Sequence, residues 1–157
     1  MHRLSNAYNT KASALDPLLA QVPYQSRPRV KSCITNLFTR YTALQPTVGT
    51  LIHNNGTESK LVVLTGTLPI LYMGSQYHVP IELYIPELYP AVAPRAYVRP
   101  TATMVIKNMH KYVDTEGLVY LPYLHEWQPS SCNLLELCSR LVAVFSQEPP
   151  LFSRPPE

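Results

Sequence analysis

An Asn-Gly pair in the first half of the chain most constrains how the chain can fold. Asn55–Gly56 separates two β-rich runs, Thr47–His53 and Lys60–Gly66. Such a pair between strands favours a tight hairpin, because both central positions of the turn prefer positive φ. The sequence therefore predicts an antiparallel strand pair here. A second turn, at Met73–Gly74–Ser75, leads into a third predicted strand, Gln76–Ile85.

Helical patterns flank these strands. Pro28–Leu44 carries apolar residues at helical spacing with proline at its start, and Pro46 ends the pattern. Towards the C-terminus, Asn133 and Glu136 form a capping-box pattern before an apolar face. With a short fourth strand at Ala96–Arg99, the expected architecture is α+β: an N-terminal helix, a four-stranded antiparallel meander, a C-terminal helix and a proline-rich tail.

The chain is long enough for one domain with a sizeable core. It has 157 residues and a formal charge of +3, and its basic residues are scattered, so a nucleic-acid partner is not indicated. We expect residues 1–27 to be a flexible extension, with at most a helical turn at Asp16–Ala20, and residues 28–157 to form the domain, including a tail at 148–157. No apolar stretch predicts secretion or insertion into a membrane.

Cysteine and histidine usage favours a reduced protein without a metal. The three cysteines lack C-x-x-C spacing, which is typical of a cytosolic setting. The histidines lack metal-ligand spacing, so neither a metal nor another cofactor is expected. His125–Glu126 could join a serine in a hydrolase triad, but no G-x-S-x-G turn supports that interpretation.

The stretch Gly117–Pro129, GLVYLPYLHEWQP, has the most specific pattern. It resembles the active site of ubiquitin-conjugating enzymes, in which a glycine is followed by the cysteine that carries ubiquitin and then by a W-x-P element. Tyr120 stands at the cysteine position. In the triplet His110–Lys111–Tyr112, Tyr112 stands where those enzymes have an oxyanion-stabilising asparagine. A phenol is a poor substitute for a thiolate, so the resemblance implies a protein that is not an enzyme.

Four further segments extend this resemblance. They are LTGTLPI at Leu64–Ile70, YHVPIELYIPELYP at Tyr77–Pro90, VRPTATMVIK at Val98–Lys107 and EPPLFSRP at Glu148–Pro155. Together with Gly117–Pro129, they make the chain similar to the ubiquitin-conjugating-enzyme variant (UEV) domain. The form it resembles is that of the tumour-susceptibility-type subunit of the ESCRT-I sorting complex.

The resemblance implies a ubiquitin-conjugating-enzyme-like fold and a non-catalytic adaptor. Such an adaptor binds ubiquitin and P-T/S-A-P peptides and sorts ubiquitylated cargo at endosomes, in the multivesicular body pathway of protein transport. The implied partners are ubiquitin, ubiquitylated cargo and proteins with a P-T/S-A-P motif. Other ESCRT-I subunits would bind through regions absent from this chain. The implied location is cytoplasmic and peripheral on endosomes.

The resemblance also implies a peptide groove with the tail as one wall. Pro149–Pro150 favours a polyproline II path that leads the tail back across the domain surface. His78 departs from an asparagine common in the family, and an imidazole changes its proton count near neutral pH. The implied apolar lining is Tyr72, Tyr77, Met104, Leu151 and Phe152. The implied polar contacts are Thr67, His78, Thr101 and Ser153.

Ubiquitin binding is implied at the first hairpin and on a neighbouring strand. Asn55 stands where an aspartate is usual, which removes a charge-assisted hydrogen bond, and His53 replaces an aromatic residue. Asn54 and Asn55 also have the simpler role of forming the turn. The implied ubiquitin contacts are Ile52, Asn54, Asn55 and Tyr97.

Two other classes of function stay open on the sequence alone. The first is a non-catalytic cofactor subunit that partners an active ubiquitin-conjugating enzyme. Such variants generally lack a last helix and an FSRP tail, and both patterns are present here, at Leu134–Phe145 and Phe152–Pro155. The second is a degenerate enzyme that retains some activity.

Overall fold

The computed structural model describes residue 11 and residues 13–154 of the chain. A first helix, α1, includes residues 13–19. It is followed by α2 (Arg27–Phe38), β1 (Gln45–Ile52), β2 (Glu58–Tyr72), β3 (Ser75–Ile85), β4 (Arg95–Val98), β5 (Met104–Ile106), α3 (Pro122–His125), α4 (Leu134–Gln147) and β6 (Leu151–Ser153). Strands β1 to β4 form an antiparallel sheet in chain order, and β5 pairs with β6 in a second sheet. The expected α+β architecture with a four-stranded meander is confirmed.

The core lies between one face of the larger sheet and the helices. Strand alternation and register bring Leu64, Leu83 and Ala96 to the same face, where all three are almost fully buried. Helix α4 contacts β2 and buries Leu141 and Phe145. Burying such side chains stabilises the fold by about 1.5–3 kcal/mol each. This packing fixes the position of α4, and therefore the point from which the tail leaves it.

The N-terminal segment belongs to this core, which corrects the expectation of a flexible extension. Leu15 and Leu19 on α1 are 0% and 1% exposed, and Val22 and Tyr24 are buried after it. The Tyr24 hydroxyl donates to the Ile85 main-chain oxygen at 2.8 Å and accepts from the Val62 N–H at 3.0 Å. The prediction of at most a helical turn at Asp16–Ala20 is also wrong, because α1 includes residues 13–19. Residues 1–10 and 12 lie outside the described part of the chain.

The two largest differences from the predicted element boundaries lie at the ends of α2 and β2. Helix α2 ends at Phe38, because Thr39 and Arg40 turn out of it, although Tyr41 and Leu44 continue the buried pattern in the next turns. Apolar spacing therefore extended the predicted helix too far. Strand β2 runs to Tyr72, well beyond the predicted end at Gly66, since Leu68 and Ile70 remain buried along it.

The geometry of the first hairpin turn differs from the one predicted. In the first hairpin only Gly56 has positive φ, at 85°, and its N–H donates to the His53 main-chain oxygen. This is a type I turn followed by a glycine bulge, not the tight turn that the Asn-Gly pair predicted. The two-residue turn with both φ values positive lies at Met73 and Gly74, between the paired residues Tyr72 and Ser75.

The start of α4 carries half of the predicted capping box. The Asn133 side chain accepts a hydrogen bond from the Glu136 N–H at 2.8 Å, as an N-cap should. The reciprocal bond is not formed, because the Glu136 carboxylate pairs with Arg140 instead. The Asn133 N–H donates to the Tyr123 hydroxyl.

Within the described residues, no helix is both long and apolar enough to cross a lipid bilayer.

Candidate peptide groove and inactive catalytic frame

A groove of about 680 Å³ lies between the far end of the β2–β3 hairpin and the tail. One wall comes from the hairpin and the other from β5 together with the chain that follows α4. The residues that line it are Ile70, Tyr72, Gln76, Tyr77, His78, Val79, Met104, Lys107, Gln147, Glu148, Pro149, Leu151, Phe152 and Ser153.

Strand β3 offers a free edge to this groove. Strand β4 pairs with β3 only from Ile81 to Tyr84, and the Arg99 N–H after it donates to the Pro80 oxygen, so in the described structure residues 75–79 have no strand on that side. The two-residue turn closes on Tyr72 and Ser75, and hydrogen-bonded pairs then alternate along the hairpin. By this alternation, the main-chain N–H and C=O groups of Gln76 and His78 point away from β2, towards the groove. They can pair with an extended ligand.

Aromatic side chains line the groove and remain accessible. Tyr77 is 52% exposed and Phe152 is 51% exposed, and Tyr72 is half-buried. Rings with this exposure leave apolar area uncovered, which is typical of a binding surface when the rings lie together. A rigid apolar ligand group such as a proline ring would cover that area with little loss of conformational freedom.

The tail is held as a β-strand along the far wall. In β6, Leu151 lies opposite Ile106 and Ser153 opposite Met104. Hydrogen bonds extend the ladder at both ends: the Lys107 N–H donates to the Pro150 oxygen at 2.7 Å, and the Arg154 N–H donates to the Thr103 oxygen at 2.8 Å. The tail thus returns across the surface as expected, but by strand pairing as well as by its prolines.

One ion pair lies in the lining of the groove. The Lys107 ammonium is 2.6 Å from a Glu148 carboxylate oxygen. Its hydrogen bond holds the pKa of Glu148 below the usual value of a glutamate, against a smaller opposing effect of burial. His78 also lines the groove, so both walls carry a titratable group.

Seven of the nine residues predicted for the peptide site line the groove, and Thr67 and Thr101 do not. Thr67 lies on the opposite face of β2 from Tyr72, because their positions differ by an odd number. Thr101 is exposed in a turn, with its hydroxyl 3.1 Å from that of Thr103. Sequence reasoning missed Ile70 and Val79, although strand alternation from Tyr72 and Tyr77 could have found them. It also missed lining residues whose positions depend on tertiary packing, such as Lys107.

The four residues predicted for ubiquitin binding do not form one compact patch. Tyr97 lies in register with Glu82, Thr65 and Gln45, across the whole sheet, whereas Ile52 lies at the far end of β1. The separation is about 14 Å across three strand spacings and about 23 Å along β1. A partner must therefore span both places, as a folded domain can.

Two of these four residues, Asn55 and Tyr97, make contacts within the domain. The Asn55 side-chain oxygen accepts hydrogen bonds from the main-chain N–H and the hydroxyl of Thr57, which supports its role in the turn. Tyr97 packs edge-on against Tyr84 and lies under the Arg99 guanidinium, 4.2 Å from the ring centroid. Ile52 is 64% exposed and Asn54 is exposed, so both are free to contact a partner.

Tyr120 lies in the segment that resembles a catalytic site. Tyr120 is half exposed, and its N–H donates to the Tyr112 oxygen at 2.9 Å. Gly117 has a φ of 92°, and a Cβ there would lie 2.3 Å from the Val98 oxygen. The glycine is therefore required by the backbone, independently of catalysis.

The W-x-P element has a structural role. The Trp127 indole N–H donates to the Pro90 oxygen at 2.8 Å, and its ring contacts Tyr89 and Tyr123. These contacts hold the loop after β3 against the segment that follows the inactive site.

Among the described residues, no group of three or more His, Cys, Asp or Glu side chains converges as a metal site.

Comparisons with known proteins agree with this geometry. The family model of the UEV domain matches residues 18–153. The mouse tumor susceptibility gene 101 protein is 40% identical over 132 residues, which cover 84% of this chain and 34% of that protein. This chain therefore spans about a third of the length of that relative.

Two solved structures share the fold. The yeast Vps23 UEV domain in complex with a Vps27 PSDP peptide superposes with a TM-score of 0.75 and 21% identity, covering 95% of this chain and 94% of that one. A complex of the Vps23 UEV with ubiquitin gives a TM-score of 0.64 and 22% identity, covering 88% and 91%. The family match over most of the length shows that this chain belongs to the UEV domain family of non-catalytic ubiquitin-conjugating-enzyme variants.

Proposed function

We propose that this chain is a ubiquitin-binding and P-T/S-A-P-peptide-binding adaptor module of an ESCRT-I complex. It would sort ubiquitylated cargo in the multivesicular body pathway, from the cytoplasmic side of endosomes. Other ESCRT-I subunits would bind through regions outside this chain. Each contact is expected to be weak, on the order of micromolar to near-millimolar, and selectivity comes from engaging two signals on one assembly.

The groove is the observation that carries this proposal. It combines accessible aromatic rings at Tyr72 and Tyr77, a free strand edge at Gln76 and His78, and a tail wall that includes Phe152. Those three features suit a ligand that is extended, contains proline and binds partly through its main chain. A P-T/S-A-P segment meets all three requirements. The yeast Vps23 domain, which has the same fold, was solved with a PSDP peptide.

Ubiquitin is the proposed partner of the sheet and its first hairpin. Ile52 and Asn54 are exposed at the hairpin, and Tyr97 is partly exposed on β4. Their separation suits a folded partner better than a short peptide. The complex of a Vps23 UEV with ubiquitin is consistent with such a partner for this fold. Asn55 contributes through the turn that it stabilises.

We also propose that Tyr120 is the reason why this chain carries no ubiquitin thioester. A neutral phenol is a weaker nucleophile than a thiolate. The oxyanion position is also lost, because Tyr112 replaces the usual asparagine. The alternative of a cofactor subunit for an active conjugating enzyme is less well supported, since α4 and the β6 tail form one side of the groove.

Isothermal calorimetry with a P-T-A-P peptide and a P-T-A-A peptide tests the proposal. The second proline should contact the rings of Tyr72 and Tyr77, so replacing it with alanine should weaken binding by about 1–3 kcal/mol. Tyr72→Ala should cause a similar loss. Leu71→Ala is a matched control, because Leu71 is exposed on the same strand and does not line the groove. Equal affinity for the two peptides would show that the groove is assigned to the wrong ligand.

A further inference from the structure

We infer that His110 positions the tail wall of the groove, so that the loop at the former catalytic site now supports peptide binding. This inference rests on the proposed peptide-binding function. His110 does not line the groove. It acts through the tail and is therefore a positioning residue.

His110 is the one polar or charged residue that is buried in the described part of the chain. Its side chain is 0% exposed. A buried ring nitrogen without a partner is costly, and both nitrogens of His110 have one. Nδ1 lies 3.0 Å from the Tyr112 main-chain N, and Nε2 lies 2.7 Å from the Glu148 main-chain oxygen. The imidazole thus joins its own loop to the first residue after α4.

The partners define which nitrogen carries the proton. The Tyr112 N–H can only donate, so Nδ1 must present its lone pair. The proton of the neutral ring therefore lies on Nε2 and is donated to the Glu148 oxygen. The ring edge also packs on Phe145 of α4, with centroids 6.0 Å apart at an angle of 75°. Packing and two directional bonds together fix the ring.

The bond to Glu148 acts where the chain changes direction. The Glu148 N–H still donates to Val144, as the last hydrogen bond of α4, and its φ and ψ of −138° and 92° are already extended. Two residues later, the Pro150 oxygen accepts from the Lys107 N–H at 2.7 Å. Two main-chain oxygens, those of Glu148 and Pro150, are thus held by His110 and Lys107. They set the direction in which Pro149, Leu151 and Phe152 enter the groove wall.

A pair of variants separates the two bonds of His110. In His110→Asn, the shorter side chain can still accept from the Tyr112 N–H, two residues on, but cannot reach Glu148. In His110→Gln, the amide nitrogen can reach the place of Nε2 and donate to Glu148. If His110 only stabilises its own loop, the asparagine variant should have the same amide exchange and peptide affinity as the wild type. If it positions the tail, the glutamine variant should be the better substitute.

Amide hydrogen exchange on the free protein provides the first measurement. In His110→Asn, exchange at Lys107 and Arg154, whose N–H groups bond across the tail ladder, should accelerate about tenfold, the factor expected for losing one buried hydrogen bond. In His110→Gln it should stay within about threefold of wild type. The His53 N–H, bonded to Thr57 in the distant first hairpin, is the internal control.

Peptide binding provides the second measurement. Affinity for a P-T-A-P peptide should fall about tenfold in His110→Asn, and binding of ubiquitin should not change in either variant. Unchanged exchange at Lys107 and Arg154 in His110→Asn would overturn the inference, as would equal acceleration in both variants. Failure of the wild-type protein to bind the peptide would instead refute the proposed function, while the exchange data still decide the role of His110.

Discussion

Lys107 and Glu148 form an ion pair in the lining of the groove, with Nζ 2.6 Å from Oε2. Lys107 follows β5 and Glu148 follows α4, so the pair joins the two chain segments from which the tail wall is built. Both side chains remain partly exposed, at 43% and 29%. The pair is therefore screened by solvent, and its main effect should be on the local order of the wall.

The groove wall should loosen in acid. Lys107 lowers the pKa of Glu148 below the ordinary value of 4.5. A lowered folded-state pKa means that this contribution is present above pH 4.5 and is lost as the pH falls through the pKa of the folded protein. A carboxyl ¹³C NMR titration should place the midpoint of Glu148 below 4.5, and Lys107→Gln should raise it. Lys111→Gln, which removes a charge that lies over the Tyr112 ring, should have a smaller effect. An equal rise in both variants would show that the ion pair is not the main cause.

Removing the hydroxyl of Tyr24 should destabilise the whole domain. This group links the N-terminal segment to the paired residues Val62 and Ile85. In Tyr24→Phe, the buried Val62 N–H loses its partner, which should lower the free energy of unfolding by about 1–3 kcal/mol. Urea denaturation followed by circular dichroism measures the change. Tyr120 is half exposed, and its hydroxyl makes only a long contact of 3.5 Å with the His110 main-chain oxygen. Tyr120→Phe should therefore stay within about 0.5 kcal/mol of wild type. A stable Tyr24→Phe protein would mean that the segment is only loosely attached.

If Tyr120 stands at the nucleophile position, as proposed, it should not be the only obstacle to catalysis. Tyr120→Cys would supply a thiol, but Tyr112, at the proposed oxyanion position, offers no side-chain amide donor. We expect no efficient transfer of ubiquitin to lysine after incubation with activating enzyme, ubiquitin and ATP. Mass spectrometry detects both the thioester and any conjugate. Robust lysine conjugation by this variant would contradict the prediction.

How much the sequence predicted depended on how local each feature is. The hairpins, the apolar face of α4 and the Asn133 cap depend on neighbours a few residues away, and they were found. The geometry of the first turn was predicted wrongly, because residue preferences alone do not determine how two strands twist and close. The burial of Leu15, Leu19 and Tyr24 was missed, since their partners, such as Val62 and Ile85, lie far along the chain.

The candidate site shows the same division. The family resemblance predicted the aromatic residues of the site, Tyr72, Tyr77 and Phe152, and all three line the groove. It also supplied Thr67, which strand alternation alone places on the other face of β2. Lys107 and His110 could not be found this way, because their roles follow from where α4 ends and where the tail returns.

Ubiquitin binding should be separable from peptide binding. Asn54 lies on the first hairpin and Tyr97 on β4, and neither lines the peptide groove. Replacing both with alanine should weaken ubiquitin binding about tenfold or more, on the scale of losing one central contact. P-T-A-P affinity should not change. An NMR titration of one sample with ubiquitin and then with peptide measures both. Unchanged ubiquitin shifts for a folded double mutant would exclude these residues from the site.

Deleting the tail should weaken peptide binding while leaving the fold and ubiquitin binding intact. A chain that ends at Glu148 loses β6 and the Pro150 oxygen that accepts from Lys107, and with them the wall formed by Leu151 and Phe152. Leu151 and Phe152 are at least partly exposed, and Pro150 is the one buried residue among the deleted residues 149–154, so the core should lose little. The expected cost in peptide affinity is about 1–3 kcal/mol or more, the scale of a buried apolar anchor.

Calorimetry with the P-T-A-P peptide measures the effect of this deletion, and circular dichroism checks the fold. A chain that ends at Ser153 is the matched control, because it keeps β6 and removes only the residues after it. Since Arg154 bonds to Thr103 at the end of the ladder, the control should lose a small part of the affinity. Full binding by the chain that ends at Glu148 would mean that the ligand lies along the free edge of β3 alone, without the tail.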